Sequence, residues 1–183
     1  MSASVVFFHG AGSGAHDEDA ELVANLRDEL GDGYTVDFPR LPEEDEDDDH
    51  WLAAIESAIA GAEAPLILVG HSIGGYILLK YLATRTVPGS VDAVCVIAAP
   101  MPGADAAWTI DGFDLPEGFG ALLPEGAPVY LYASEDDDVV PFSHRDLYAA
   151  AIPGAVTRTT LGGHQLGGDL RQVARDIRDL HPR

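Results

Sequence analysis

The sequence predicts an α/β fold in which a mostly parallel sheet of about six strands carries helices on both faces. Short apolar segments alternate along the chain with longer segments of helical character, which is typical of repeated β-α units. The 183 residues suit one domain, 1–183, with a sizeable core and leave no room for a second. No internal repeat or apolar run of membrane-spanning length interrupts the alternation.

The elements follow from apolar runs bounded by turn residues. The first strand is the run Val5-Val-Phe-Phe, and the helical pattern of the first helix ends at Leu30. In order, strands are expected near residues 4–9, 34–38, 65–70, 91–98, 127–133 and 155–161. Helices are expected between and after them near 18–30, 50–61, 74–86, 142–151 and 168–180. The longest irregular segment, 100–126, is rich in proline and glycine and has room for at most one or two helical turns.

The third predicted strand runs directly into Gly70-His-Ser-Ile-Gly-Gly75, and a helix-forming segment follows. An apolar strand, a Gly-x-Ser-x-Gly pattern and a helix together predict a nucleophile elbow, in which a sharp turn holds Ser72 in a strained conformation clear of the sheet. A serine hydroxyl is a poor nucleophile unless it is presented in this way beside a base. Gly70 and Gly74 provide room for the turn, and Gly75 lets the helix pack close to the strand.

A glycine-rich loop, His9-Gly-Ala-Gly-Ser-Gly14, follows the first strand. An elbow serine requires an oxyanion loop earlier in the chain, and this loop is in the right place. The predicted donors to a developing oxyanion are therefore the backbone N–H groups of Ala11, in the loop, and Ile73, just after the serine. The loop could instead only turn the chain, or it could bind a phosphate at a helix N-terminus. Phosphate binding is disfavoured because neither Gly-x-Gly-x-x-Gly nor a Gly-Lys-Ser/Thr ending is present, and the single lysine, Lys80, follows the elbow.

An elbow serine also requires an acid and then a histidine later in the chain. The fifth strand ends in Ser134-Glu-Asp-Asp-Asp-Val-Val-Pro141, where several carboxylates compete for the role of the acid. Of the seven histidines, His164 and His181 follow these carboxylates. His181 lies near the C-terminus, where chains usually fray. His164 lies in a Gly-Gly-His loop after the last strand, which places it at the same end of the sheet as Ser72.

Other groups receive structural interpretations. His9 is expected to bond to the backbone around the glycine-rich loop, and His71 is expected to pack away from the active face. The lone Cys95, in an apolar strand, is interpreted as a buried core residue. Three more histidines are interpreted as surface or packing residues: His16, His50 and His144.

In these motifs and in their order the chain resembles a minimal α/β-hydrolase, most similar to small, capless YdeN-like serine hydrolases of under 200 residues. The resemblance covers nearly the whole chain. It rests on four segments that are much more specific together than any one alone: His9-Gly-Ala-Gly, Gly70-His-Ser-Ile-Gly-Gly, Asp137-Asp-Val-Val-Pro and Gly163-His164.

The resemblance implies an assignment for the acid. Hydrolases of this type usually read Asp-x-x-Val-Pro at the end of the corresponding strand, which implies Asp137. Relatives often have proline at the next position, which here is Asp138, so Asp138 stays open as the alternative. Glu135 and Asp136 are then interpreted as solvated loop charges, the ordinary fate of an acidic cluster.

The expected activity is hydrolysis of small, short-acyl esters or thioesters by Ser72, His164 and Asp137, with no cofactor and no metal. A small cap leaves little to bury a long acyl chain, so apolar residues of the segment 100–126 are candidates for the pocket wall. The candidate substrate-binding residues are Met101, Trp108 and Phe113. Amide, peptide or lactone hydrolysis on the same fold, or a non-catalytic binding module that retains the elbow, are the alternatives.

Composition indicates the environment of the protein more than its chemistry. The chain has 31 acidic and 10 basic residues, a formal net charge of −21, which disfavours nucleic acid as a partner and fits a salt-rich, halophile-type cytoplasm. No signal peptide is recognised, so a cytoplasmic location without membrane association is expected.

The acidic run 43–50 could bind a cation or a basic partner. It has no glycine to turn it as a calcium loop does, so the favoured interpretation is a solvent-exposed segment that leads into the second helix.

The net charge of −21 predicts that salt stabilises the protein. The Debye length falls from roughly 30 Å at 0.01 M to roughly 3 Å at 1 M salt, so repulsion among surface carboxylates should fade over this range. We expect the melting temperature in KCl to climb steeply between about 0.01 and 1 M and then to level off. A melting temperature that is flat or falls over this range would show that the acidic surface is not an adaptation to salt.

Overall fold

The computed structural model describes residues 3–45 and 47–180, and the strands and helices in it alternate as predicted. Six strands form one sheet in the described part of the chain: β1 Ala3–Phe8, β2 Tyr34–Asp37, β3 Leu66–His71, β4 Val91–Ile97, β5 Val129–Ser134 and β6 Val156–Thr160. Five α-helices connect or follow them: α1 Ala15–Leu30, α2 Asp48–Gly61, α3 Ile73–Thr84, α4 Ser143–Ala151 and α5 Arg171–Leu180. The predicted α/β fold is confirmed.

The strand order creates a crevice at one edge of the sheet. The order is β2-β1-β3-β4-β5-β6, and every neighbouring pair is parallel. The chain first moves outward from β1 to β2, then crosses back over β1 to β3 and continues in the other direction to β6. Loops that leave β1 and β3 therefore diverge at the point where the winding reverses, which is where open α/β sheets bind ligands.

Two apolar layers cover the sheet. Successive side chains of a strand point to opposite faces, so Val5 and Phe7 pack in one layer and Val6 and Phe8 in the other. Helices α1 and α5 cover the first face, and α2, α3 and α4 cover the second. Because both faces are covered, the inner strands are continuous apolar runs, and all six residues of β3 are buried.

Some boundaries differ from the predicted ones. Helix α5 begins at Arg171 rather than near residue 168, because Gly167 and Gly168 take positive φ angles of 62° and 74° and end a short 3₁₀ turn instead. Above the sheet, the irregular segment 100–126 contains only two single 3₁₀ turns, Ala106–Trp108 and Phe119–Ala121. The predicted minimal cap is confirmed.

Almost all of the acidic residues in the described ranges lie at least partly at the surface. Among the described carboxylate residues only Asp19 and Asp176 are buried as whole residues. None of the helices in the described ranges combines the length and the apolar character needed to cross a bilayer.

Candidate active site

Ser72 lies between β3 and α3 in a backbone conformation that few non-glycine residues adopt. Its φ is 53° and its ψ is −128°. Such a conformation costs free energy and persists only where its surroundings fix it. Here the Ser72 N–H donates to the carbonyl of Ile97 (2.8 Å), and its carbonyl accepts from the N–H of Gly75 (3.0 Å). The turn therefore holds Ser72 at the carboxyl edge of the sheet.

Glycines are required around Ser72 because backbone segments approach each other too closely for a side chain. A Cβ atom on Gly70 would lie 2.6 Å from the Gly75 Cα atom, and one on Gly75 would lie 2.9 Å from the Gly70 oxygen. A Cβ atom on Gly74 would lie 2.3 Å from the His9 carbonyl oxygen. The start of α3 is thus in direct backbone contact with the residue that follows β1.

Ser72, His164 and Asp137 form a continuous chain of hydrogen bonds. His164 Nδ1 lies 2.9 Å from Asp137 Oδ2, and His164 Nε2 lies 3.0 Å from Ser72 Oγ. Since a carboxylate only accepts, the Nδ1 atom carries the ring proton and donates it to Asp137. Nε2 is then free to accept the hydrogen bond of the Ser72 hydroxyl.

Asp137 is the carboxylate that contacts His164. Its side chain is 1% exposed, and it also accepts from the N–H groups of Val139 (2.8 Å) and Val140 (2.9 Å). Burial alone would raise the pKa of Asp137, but the bonds from His164, Val140 and Val139 hold this pKa below its usual value. The alternative, Asp138, is exposed to solvent and makes no such contact.

Asp136 is an exposed loop charge, as expected, but it also has a structural role that the sequence did not indicate. Although exposed, its carboxylate accepts from the N–H groups of Gly162 (3.1 Å) and Gly163 (3.1 Å). The bond from Gly163 is the main reason that the pKa of Asp136 is lowered. This carboxylate joins the loop after β5 to the loop that carries His164.

The predicted oxyanion donors belong to two segments that adjoin Ser72. A Cβ atom built on Gly10 would lie 3.2 Å from the Ser72 Cβ atom, so the glycine-rich loop passes directly beside the serine. Ile73 is the first residue of α3, where a backbone N–H has no partner within the helix. Within the described residues, neither the N–H of Ile73 nor that of Ala11 donates to a protein acceptor. Both residues line one cavity.

His9 holds the glycine-rich loop in the way that the sequence predicts. Its Nδ1–H donates to the carbonyl of Gly10 (2.7 Å), and its Nε2 accepts from the N–H of Leu41 (2.8 Å). Burial lowers the pKa of His9, which keeps the ring neutral. A neutral ring is what this pair of partners requires, because one is an acceptor and the other a donor.

The cavity beside Ala11 and Ile73 has a volume of about 610 Å³. Of the three residues predicted to bind substrate, Phe113 lines it, whereas Met101 and Trp108 do not. The Trp108 ring lies next to Phe113, with 6.0 Å between ring centroids. The other apolar or aromatic lining residues are Trp51, Tyr76 and Ile110, and the acidic ones are Asp45, Asp47, Asp48, Asp49 and Asp111.

Sequence reasoning missed Trp51 and Tyr76 as lining residues. They lie on α2 and α3, where their spacing is that of ordinary core residues, and most of each side chain is indeed buried in the core. Only the packing of α2 against α3 shows that they also reach the cavity. No local signal in the sequence marks them.

His71 does more than pack, which corrects the prediction for this residue. Its Nδ1 lies 2.8 Å from Asp19 Oδ2, and its Nε2 lies 3.0 Å from the carbonyl oxygen of His164. The Asp19 carboxylate also accepts from the N–H of Gly10 (3.0 Å) and from Gln165 Nε2 (3.0 Å). A buried pair thus links α1, the glycine-rich loop and the loop of His164.

The remaining histidines lie apart from the Ser72–His164 contact, in surface or packing positions. His16 stacks on Phe38, His50 is exposed beside Asp45, and buried His144 accepts from the N–H of Met101. His181, the other histidine that follows the acidic cluster, lies outside the described residues.

Cys95 is buried, as predicted, and burial raises the pKa of its thiol to about 12. It is therefore not a nucleophile at neutral pH. Among residues 3–45 and 47–180, no three histidine, cysteine, aspartate or glutamate side chains are grouped so that they could hold a metal ion. Within the acidic run 43–50, Glu46 lies outside the described residues.

A strained serine turn at the carboxyl edge of a parallel sheet, next to a glycine-rich loop, defines the architecture of an α/β hydrolase. The model of the alpha/beta hydrolase family matches residues 5–180, and the chain belongs to this family. Hydrolysis is the reaction class that this membership supports. No match was found among curated protein sequences.

Solved structures with the same fold include several hydrolases. The ydeN gene product from B. subtilis superposes with a TM-score of 0.74 at 20% identity, covering 100% of this chain and 99% of that chain. CarC, a serine hydrolase involved in carbazole degradation, has a TM-score of 0.71 at 14% identity and covers 98% and 90% of the two chains. The esterase domain of a Rhodothermus marinus protein has a TM-score of 0.64 at 18% identity and covers 96% and 84%.

Proposed function

We propose that the protein is a serine hydrolase that cleaves small, short-acyl esters or thioesters through an acyl-enzyme. The observation that carries this proposal is the hydrogen-bonded chain from Ser72 through His164 to Asp137, with distances of 3.0 and 2.9 Å. A nucleophile, a base and an orienting acid in this relation are what acyl transfer requires. Two similar folds are named as a serine hydrolase and an esterase domain, which agrees with the proposal.

In the acylation step, Ser72 Oγ attacks the carbonyl carbon while its proton passes to His164 Nε2. The imidazolium that forms is stabilised by the ionised Asp137, which keeps the ring in the orientation needed for transfer. The carbonyl oxygen becomes negative and accepts from the N–H groups of Ala11 and Ile73, and each such donor is worth about 10²–10³ in rate. When the tetrahedral intermediate collapses, the alkoxide or thiolate leaves with the proton from Nε2.

In the deacylation step, water takes the place of the leaving group. His164 Nε2 accepts a proton from this water while the oxygen attacks the acyl carbon, and the same N–H groups hold the oxyanion. The ester bond to Ser72 then breaks, and the serine oxygen regains its proton from His164. A carboxylic acid is released and the enzyme returns to its initial state, with no cofactor or metal in the cycle.

The proposed substrate size follows from the cavity and the small cap. A cavity of about 610 Å³ with aromatic walls is large enough for a small ester. Above the sheet, the segment 100–126 supplies only two single helical turns, so nothing encloses a long acyl chain within the described residues. Short acyl groups are therefore the proposed class.

We further infer that the protein works in a salt-rich cytoplasm. The net charge of −21, with nearly all described carboxylates at the surface, supports this inference because salt would screen their mutual repulsion.

The change Ser72→Ala tests the proposed function directly. It removes the nucleophile, so we expect the variant to lose hydrolysis of p-nitrophenyl acetate and labelling by a fluorophosphonate probe, while its melting temperature stays close to that of the wild type. Loss of such a nucleophile costs on the order of 10⁶ in kcat. Near wild-type turnover in a folded variant would refute the serine mechanism.

Matched asparagine variants of two neighbouring aspartates test which carboxylate is the acid. Asp137→Asn keeps the shape but removes the anion that faces His164, so kcat should fall by about 10⁴-fold. Asp138→Asn changes the same charge one residue away, in solvent, and should leave kcat near the wild-type value. Steady-state kinetics at equal fractions of folded protein decide the matter. The reverse pattern would assign the acid to Asp138, and two unaffected variants would place the acid elsewhere.

The acidic wall of the cavity predicts discrimination against anionic substrates. At low salt, kcat/KM for mono-p-nitrophenyl succinate should be roughly tenfold lower than for the neutral p-nitrophenyl butyrate, and the ratio should approach one near 1 M KCl. Asp111→Asn should narrow the difference, because Asp111 lines the cavity. Asp32→Asn, an exposed change in the turn before β2 at the opposite edge of the sheet, is the control. Equal rates for both esters at low salt would exclude this electrostatic effect.

A further inference from the structure

Three of the histidines in residues 3–45 and 47–180 are fully buried, and their partners indicate which of them carry charge. His9 accepts from the Leu41 N–H and donates to the Gly10 carbonyl. His144 accepts from the Met101 N–H at Nδ1 and so donates from Nε2, to an aspartate carboxylate 3.1 Å away. Each of these rings has one donor partner and one acceptor partner, which a neutral imidazole satisfies.

His71 is different, because both of its partners can only accept. Nδ1 faces the Asp19 carboxylate at 2.8 Å, and Nε2 faces the carbonyl oxygen of His164 at 3.0 Å. A ring that donates from both nitrogens is an imidazolium. Asp19 accepts two further N–H bonds, from Gly10 and Gln165, which favour its ionised form.

We propose that His71 is a positioning residue: a buried imidazolium, paired with Asp19, that holds the main-chain carbonyl of His164 and thereby fixes the loop that carries the base. This inference rests on the proposed function, since it assigns to His71 a part in the same reaction. His71 acts through His164 and is not itself in the proposed proton path.

Burial of the charged His71–Asp19 pair costs free energy, so the pair persists only if hydrogen bonds compensate for the lost water. The side chains of His71 and Asp19 are each 1% exposed, and the free-energy cost of removing two charges from water is large unless hydrogen bonds compensate. Burial alone would lower the pKa of His71, but the bond and charge of Asp19 and the His164 carbonyl raise it. For Asp19, burial alone would raise the pKa, and the bonds from His71, Gln165 and Gly10 lower it.

The loop of His164 needs external support because its own backbone is permissive. Positive φ angles occur at Gly162 (100°), Gly163 (67°), Leu166 (50°) and Gly167 (62°). Glycines give a loop many accessible conformations, so contacts from neighbouring elements have to select one of them. One such contact, from Asp136, holds the start of this loop, and the His71 pair holds its middle at two adjacent residues.

Asp19 is needed for charge balance as well as for geometry. The His71 ring centroid lies 4.8 Å from that of His164, the ring that becomes positive during the proposed reaction. An unpaired cation at this distance would oppose that change. With the Asp19 anion 2.8 Å from Nδ1, the pair is neutral overall and leaves His164 free to take up the serine proton.

Two amide variants of His71 separate its two bonds. In His71→Asn the amide nitrogen replaces Nδ1, which keeps a donor to Asp19 and removes the donor to His164. In His71→Gln the amide nitrogen replaces Nε2, which keeps the donor to His164 and leaves the buried Asp19 without its donor from residue 71. Both variants remove the positive charge beside Asp19, so they differ in which hydrogen bond they keep. We would measure kcat and KM for p-nitrophenyl acetate, with active sites counted by fluorophosphonate labelling, and melting temperature for both variants.

The proposal predicts that one variant loses more activity and the other loses more stability. His71→Asn should lower kcat by about 10–10²-fold with little change in KM, since a displacement of about 1 Å at a reacting group has effects of this size. His71→Gln should keep kcat within a few-fold of the wild type, yet it should melt at a lower temperature than His71→Asn. If activity instead follows stability in both variants, or if His71→Asn keeps the wild-type kcat, the positioning role is refuted.

The charge of His71 is tested without any activity measurement. In wild-type protein labelled with ¹⁵N-histidine, both ring nitrogens of His71 should carry protons near pH 7, and a ring with a single N–H would overturn the proposal even if a variant fails to fold. The signals of His71 are assigned by comparing the wild-type spectrum with that of His71→Asn, or with that of Asp19→Asn if His71→Asn is unstable. A wild-type enzyme that neither cleaves esters nor reacts with the probe would refute the proposed function, whereas an active enzyme with a neutral His71 would refute only this inference.

Discussion

At the carboxyl ends of β1 and β3, three backbone segments approach each other so closely that no side chain fits between them. A Cβ atom on Gly74 would lie 2.3 Å from the His9 oxygen, and one on Gly70 would lie 2.6 Å from the Gly75 Cα atom. The rest of the site depends on this contact. It fixes the turn at Ser72, and it brings the glycine-rich loop beside the serine, which is the arrangement that the proposed oxyanion site requires.

The strands β5 and β6 bring Asp137 and His164 to the same edge of the sheet as Ser72. Hydrogen bonds from side chains between the loops then set the relative positions of these residues. The loops after β5 and β6 are joined by Asp136, and His71 and Asp19 join the loop after β6 to the glycine-rich loop and α1. Preorganised groups stabilise a transition state without the cost of reorienting during the reaction. Polar side chains that bond to neither Ser72 nor Asp137 therefore contribute to the geometry of the proposed site.

The fold was predictable because every element has a local signal, namely an apolar run, a helical pattern or a glycine turn. The elbow was predictable for the same reason: its glycines adjoin the serine in sequence. The structural role of Asp136 and the Asp19–His71 pair were missed because the bonded residues lie 26 and 52 positions apart in the sequence. Asp19 stands among other acidic residues at the start of α1, so nothing in the sequence marks it as the buried one. Of the residues predicted to bind substrate, only Phe113 lines the cavity. Trp51 and Tyr76 also line it, but their spacing in the sequence is that of core residues.

Salt acts in opposite directions on two sets of charges in this molecule. Screening relieves repulsion among exposed carboxylates but also weakens attractive pairs. The pair between Lys80, 15% exposed, and the cavity-lining Asp48, 25% exposed, is the better protected one, and at 2.8 Å it ties α3 to α2. Exposed pairs such as Arg171 with Asp169 contribute little in any case. Because acidic residues outnumber basic ones by 21, the repulsive set dominates, and salt can stabilise the whole molecule while the partly buried lysine keeps the cavity wall in place.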